Sequence, residues 1–309
     1  MKHIFTLLYL LGIVSTTCAQ KSKRAPVITR FYQLTGTIGK YPVTFNLHRE
    51  GDELYGTYYC DSTEEIIEVH GTLNTNTALK IFCYYKGGEA DEELTGIFKD
   101  SIFTGTWNSK GKELPFCLTQ SRNTNGLHFD YVTTKGSKSL PKNQGYSRGS
   151  LTYDGSAVCP TPSSTHPAAK YIKETIFNAF NHSTSGTIGE AMLSEKKEVL
   201  SQAGDIEIYG VSQNVSIVYW SKQMLTLSTY AWEDNGGAHG NYTVKYTNFD
   251  LGNNSEAGAI FNECDQLPAL KEKKLREFFN ASEDKKLSNF LLVDTLPEAS
   301  NCIITSKGI

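Results

Sequence analysis

At 309 residues, with 39% hydrophobic and 20% charged content, the chain has the length and composition of two globular domains, each large enough to bury its own core. Its net charge of -3 becomes -4 once Lys2, the only charge of the leader, is removed. Such a chain has no broad positive field, which excludes nucleic acid as a partner held by electrostatics, although a basic partner stays open.

The chain begins with an address. Met1-Lys-His, the apolar run Ile4-Phe-Thr-Leu-Leu-Tyr-Leu-Leu-Gly-Ile-Val14 and the small residues ending Thr17-Cys-Ala19 follow the plan of a secretory signal peptide over residues 1–19. Cleavage after Ala19 leaves Gln20 as the new N-terminus. A lipoprotein carrying its lipid on Cys18 is the competing reading, but Ser15-Thr-Thr17 lacks the Leu and the Gly or Ala expected there. The run is too short to span a bilayer, and no later segment is long and apolar enough. The expectation is an exported protein, periplasmic or extracellular, soluble or held by one lipid.

A glycine echo organises residues 31–121. Leu34-Thr-Gly-Thr-Ile38, Leu54-Tyr-Gly-Thr-Tyr58, Val69-His-Gly-Thr-Leu73, Leu94-Thr-Gly-Ile-Phe98 and Phe103-Thr-Gly-Thr-Trp107 each sit inside an alternating run. Glycine within a strand marks a bend, a bulge or a close backbone approach, so its recurrence predicts a strongly coiled antiparallel sheet or barrel. Val43, Phe45 and Leu47, then Leu79, Ile81 and Cys83, then Leu114, Phe116 and Leu118 keep period two, which points them inward and leaves Thr44, Asn46 and Lys80 facing water. Acidic patches at residues 61–68 and 89–93 read either as a solvated rim or as a surface for a cationic ligand.

Beyond the leader stand cysteines 60, 83, 117, 159, 264 and 302, none in Cys-x-x-Cys spacing, in a compartment that permits disulfides. Strand parity is the only local guide to pairing. Cys60 shares a face with Leu54 and Tyr58, and Cys83 with Leu79 and Ile81, whereas Cys117 is out of phase with its apolar neighbours. Cys60 to Cys83 is the candidate bridge, with buried free thiols as the alternative.

Residues 122–147 are rich in Gly, Ser, Asn and Lys and read as a linker, despite a short apolar segment at Leu127-His-Phe-Asp-Tyr-Val132. The second domain then covers residues 148–309. Pro167 followed by Ile172, Ile176, Phe177 and Phe180 predicts an amphipathic helix, and a second runs over about 188–200. Strands return over 207–251. Helices follow at 268–279, where Leu270, Leu275, Phe278 and Phe279 alternate with basic residues, and at 284–292. This order is an α+β layout with helices packed on an antiparallel sheet.

Between two of those strands lies Trp232-Glu-Asp-Asn-Gly-Gly-Ala-His-Gly240. Its three glycines around one imidazole give backbone freedom beyond what a two-residue hairpin needs, so the loop is shaped for a role or for one neighbour. Trp232, Glu233, Asp234, Gly236, Gly237, His239 and Gly240 are the candidate ligand-binding residues. Glu233, Asp234 and His239 are also the best constellation for acid–base work, although adjacent strand carboxylates point to opposite faces. His166, His182 and His239 share no metal-ligand spacing, and no phosphate-cradling loop precedes a helix, so neither a metal nor a cofactor is expected.

Tyr230-Ala-Trp-Glu-Asp-Asn-Gly-Gly-Ala-His-Gly240, with Asn248-Phe-Asp-Leu251, Ile260-Phe261 and Ile303-Ile-Thr-Ser-Lys-Gly-Ile309, resembles the extracytoplasmic domain shared by the lysozyme-sensing anti-sigma factor RsiV and the non-catalytic half of PdaC-type peptidoglycan deacetylases. The resemblance covers roughly residues 150–309, and the first half resembles, more weakly, glycine-patterned β domains of secreted Bacteroidetes-type proteins. It implies a helix-backed sheet, a closing strand at 303–309, and a partner such as peptidoglycan or a lysozyme-like protein. The family continues past the Lys-Gly-Ile segment, so a sequence truncated at its C-terminus is expected. The deacetylase metal and aspartate motifs do not occur, and neither does a membrane span or sigma-binding segment. The reading is therefore an exported, non-catalytic binding module of the bacterial envelope; the alternative is a secreted hydrolase or deacetylase acting on cell-wall glycan through the His239 loop.

Overall fold

A computed structural model describes residues 27–309 except 75–76, 85–89, 122–124, 141–148, 182–184, 204–207, 258–266, 283–284, 288–300 and 308–309. The leader with Cys18, His182, Ile260, Phe261, Cys264, and all but 285–287 of the helix expected at 284–292 lie outside the described residues. Among those described, no helix is long and apolar enough to cross a membrane.

Eight strands form the first unit: β1 (Thr29–Ile38), β2 (Tyr41–Glu50), β3 (Glu53–Cys60), β4 (Ile67–Leu73), β5 (Ala78–Tyr84), β6 (Ala90–Lys99), β7 (Ile102–Ser109) and β8 (Lys112–Gln120). Each pairs antiparallel with the next, and β8 returns to β1, so the sheet closes into a barrel. Period-two residues fill the inside. Leu34, Phe45, Leu47, Leu94, Phe103 and Leu118 are fully buried there, as an eight-stranded barrel just wide enough for side chains requires. All five echo glycines stand where neighbouring strands close in, because a β-carbon on Gly36, Gly56, Gly71, Gly96 or Gly105 would overlap a carbonyl oxygen of the next strand.

The second unit is a six-stranded sheet in the order β14-β13-β12-β11-β10-β9, from β9 (Phe129–Ser139), β10 (Ser150–Pro160), β11 (Gly210–Trp220), β12 (Met224–Asp234), β13 (Asn241–Asp250) and β14 (Ser255–Glu256). Two expectations need correction. The stretch 122–147, read as a linker, carries β9, which pairs with β10 along its whole length. The sheet is also mixed rather than antiparallel, since β10 and β11 run parallel. A parallel pair needs a long crossover, here supplied by helices α1 (Ala169–Ala179) and α2 (Ile188–Ser201).

Those helices cover one face of the sheet. Ile172, Ile176, Phe177, Ala191 and Met192 meet Val215, Ile217, Leu225, Leu227 and Phe249 in one core. Helix α2 starts on a capping box: Thr187 Oγ1 accepts from the Glu190 amide at 3.2 Å and Glu190 Oε2 accepts from the Thr187 amide at 2.7 Å. Helix α3 (Leu267–Phe279) forms where its pattern predicts, yet Leu270 and Phe278 are exposed among the described residues.

The barrel docks on the sheet's other face through the outward residues of β1, β2 and β3. Thr44 and Asn46 were expected in water; both are buried, because period two fixes which face a residue takes but not whether that face meets another domain. A bulge in β11 between Ile217 and Tyr219 frees backbone groups for barrel side chains. Thr57 Oγ1 donates to the Val218 carbonyl at 2.5 Å, and Gln33 Nε2 and Tyr59 Oη both donate to the Trp220 carbonyl at 2.9 Å. His48 sits fully buried in this seam: its Nδ1 donates to the Tyr55 carbonyl at 3.3 Å while Nε2 accepts from the Ile217 amide at 3.3 Å. Both ring nitrogens are satisfied only in the neutral form, and burial brings the pKa down to about 4.

Cys60 and Cys83 are free thiols, not a bridge. Both face the barrel interior as parity predicts, but β4 lies between their strands, which sets Cα atoms about 10 Å apart, beyond the roughly 7 Å that a disulfide can span. The register offsets them further along the strands, Tyr58 facing Ile67 and Cys83 facing Val69. Residues 303–307 are no closing strand either. Asn248 holds the segment side-on, its Nδ2 donating to the Cys302 carbonyl at 3.0 Å and its Oδ1 accepting from the Ile304 amide at 2.9 Å. The chain then crosses to the barrel, where Ser306 Oγ and the Lys307 amide donate to Glu64 at 2.6 and 3.0 Å.

Candidate functional site

The hairpin loop lies where its sequence predicts, between β12 and β13, whose register runs from Met224 opposite Asp250 to Glu233 opposite Asn241. Its chemistry turns inward on the loop itself. Asp234 is buried and its Oδ1 accepts from the Gly236 amide at 3.0 Å, a turn in which Gly236 takes a positive φ of 75°. A β-carbon on Gly240 would strike the Trp232 indole, and one on Gly210 would meet the same ring from the neighbouring strand, so these glycines make room for tryptophan. His239 is exposed, its Nδ1 3.4 Å from the Gly240 carbonyl. Glu233 points to the face opposite Asp234, as alternation requires. Of the seven candidate residues, the loop thus brings Trp232 against Gly240 and Asp234 against Gly236, but it does not join His239 to a carboxylate. Among the described residues, no group of three or more His, Cys, Asp or Glu is placed to hold a metal ion.

A different site appears at the domain junction. Leu225 and Leu227 pack on the helices, so Ser228, Tyr230 and Trp232 of β12, with Tyr242, Val244 and Tyr246 of β13, face the barrel side. Opposite them the barrel presents two outward rows: Thr57, Glu68 and Tyr84 are cross-strand neighbours on β3, β4 and β5, and Tyr55, His70 and Phe82 form the next. The space between these walls is a cleft of about 370 Å³ lined by Tyr84, Tyr230, Tyr246, Glu68 and His70, with Thr57 bonded to the Val218 carbonyl at its base and Tyr55 beside it turned into the seam, where its ring stacks on His48 with centres 5.5 Å apart.

The electrostatics of the cleft come from one side. Burial, then the charge of Glu68, raises the Tyr246 phenol above its ordinary pKa, which places the two groups within range across the gap. His70 is largely exposed at the rim, 3.8 Å from Glu53. Among the described residues, no lysine or arginine lines the cleft. Beyond it the aromatic surface continues, because Tyr230 and Tyr242 stack with ring centres 6.2 Å apart and Trp232 lies next along the strand. Trp232 is therefore the aromatic sequence-derived candidate on this surface, whereas Asp234 shares its face but is buried in the turn. The other lining residues were missed, although the signal was present: aromatic residues of one parity on both strands of one hairpin, Tyr230 and Trp232 facing Tyr242 and Tyr246, on the face opposite Leu225 and Leu227.

No family model and no curated protein matches the chain. Among solved structures it is similar to a DUF3298 family member from Bacteroides fragilis, at 17% identity over 55% of this chain and 75% of that chain, with a TM-score of 0.44. It is also similar to a DUF3298 family protein from Pseudomonas aeruginosa, at 11% identity over 52% and 72% of the two chains, with a TM-score of 0.37. Likeness at this level assigns neither fold nor activity, so the site is read from its own residues.

Proposed function

We propose that the protein is an exported, non-catalytic binding module of the bacterial envelope, and that its ligand, a cell-wall glycan, lies in the cleft between the two domains. The observation that carries this reading is the cleft's composition. Sugar rings offer apolar C–H faces to aromatic side chains and hydroxyls to short polar groups, and Tyr84, Tyr230 and Tyr246 with Ser216 and Ser228 supply both. Same-face residues on a strand repeat every ~7 Å, so the run from Tyr246 through Tyr230 to Trp232 offers successive sugars successive platforms.

The resemblance to the RsiV and PdaC-type domain points to the same class of partner, and a lysozyme-like protein is the second ligand it brings into view. The alternative of a hydrolase acting through the His239 loop has less support, since Asp234 is spent on its own turn and Glu233 leaves by the other face. The test is a pulldown by the full chain with intact peptidoglycan, soluble muropeptides and a c-type lysozyme. Retention by peptidoglycan or muropeptides that is lost in Tyr246→Ala supports the reading; retention by none, or by lysozyme alone, overturns it.

A further inference from the structure

The charge within the cleft carries the reading one step further, to the kind of sugar recognised. Among the described residues Glu68 is the only carboxylate lining the cleft; it is solvent-exposed, and no ion pair there engages it. It stands beside Tyr84 on the barrel wall and acts on Tyr246 across the gap. Among the described residues of the outward rows the lysine, Lys80, belongs to a row farther along the barrel and is held by Glu93 at 3.2 Å. A carboxylate set among tyrosines, with no basic neighbour lining the space among the described residues, is the chemistry that receives an ammonium group: the rings attract the cation through their quadrupoles and the carboxylate neutralises it. A neutral acetamide gains nothing from Glu68 beyond a hydrogen bond, and an anionic group would be repelled.

We infer, resting on the glycan reading above, that the cleft selects an amino sugar whose nitrogen is free and protonated over its N-acetylated counterpart. Glu68 holds the ammonium, and Tyr84 and Tyr246 flank it. No covalent step is involved.

The test is calorimetry of the full chain with oligomers of glucosamine and of N-acetylglucosamine of equal length, at low and at physiological salt. The expected result is binding of both, with the free-amine oligomer about tenfold tighter, a preference that shrinks as salt screens it. In Glu68→Gln that preference disappears, while the unfolding midpoint stays where it was, because Glu68 is exposed and supports no packing. Equal affinity for the two oligomers, or a preference that survives in Glu68→Gln, overturns the inference and leaves the glycan reading standing. Binding of neither oligomer, together with no retention on peptidoglycan, removes the glycan reading itself.

Discussion

The two faces of β2 differ in a way that explains most of this molecule. Inward, Val43, Phe45 and Leu47 fill the barrel; outward, Thr44, Asn46 and His48 are buried just as completely, but against a second domain. The inner face is apolar and closes on itself. The outer face is polar, and with its neighbours on β1 and β3 it meets the bulged strand β11 through specific backbone atoms: His48 takes the Ile217 amide, Thr57 the Val218 carbonyl and Gln33 the Trp220 carbonyl. A hydrophobic interior tolerates any filling of the right volume, whereas a polar seam fixes one relative placement of two domains, and that placement creates the cleft.

The contrast can be broken by substitutions in neighbouring residues. Phe45→Ala should cost about 3–5 kcal/mol in denaturant-induced unfolding, since it leaves a cavity in a closed barrel. Acid should act on the seam instead. The His48 pKa is lowered from 6.5 to about 4 in the folded protein, so the unfolded state binds the proton first. The stability that neutral His48 contributes is present above pH 6.5 and falls away as the pH drops from there toward 4, a loss of about 3 kcal/mol. Chemical denaturation across that pH range measures it, and a His48→Gln variant should flatten that part of the profile.

Smaller effects sharpen the same contrast. Both side-chain polar atoms of Asn46 are buried without a hydrogen-bond partner. Asn46→Leu should therefore stabilise the protein by roughly 1 kcal/mol, the opposite sign to truncation next door at Phe45. Smallest of all, His239→Ala should shift the unfolding free energy by less than about 0.5 kcal/mol, as its ring is exposed and touches only its own loop.

Local rules made the barrel readable. Alternation and the five glycines fix its strands, and the helical periods at residues 169–179, 188–201 and 267–279 locate α1, α2 and α3 within a residue or two. Strand β9 escaped because Thr133-Thr-Lys-Gly-Ser-Lys-Ser139 has linker composition and gains its place only by pairing with β10. The disulfide expectation failed because parity places two thiols on one face without saying how many strands separate them. The cleft could not be seen from either wall alone, since its two rows of residues come from β3 to β5 and from β11 to β13 and meet only through the docking of domains. What the hairpin sequence did reveal was its turn, whose glycines make room for the Trp232 ring.

The proposed ligand is gripped at the domain junction and not by the glycine-rich loop. Calorimetric titration of soluble peptidoglycan fragments into the protein, its Tyr246→Ala variant and its His239→Ala variant tests this most directly. Tyr246→Ala is expected to weaken binding at least tenfold, about 1.4 kcal/mol, while His239→Ala binds as the parent does. Undiminished binding by Tyr246→Ala alongside its loss in His239→Ala would contradict it.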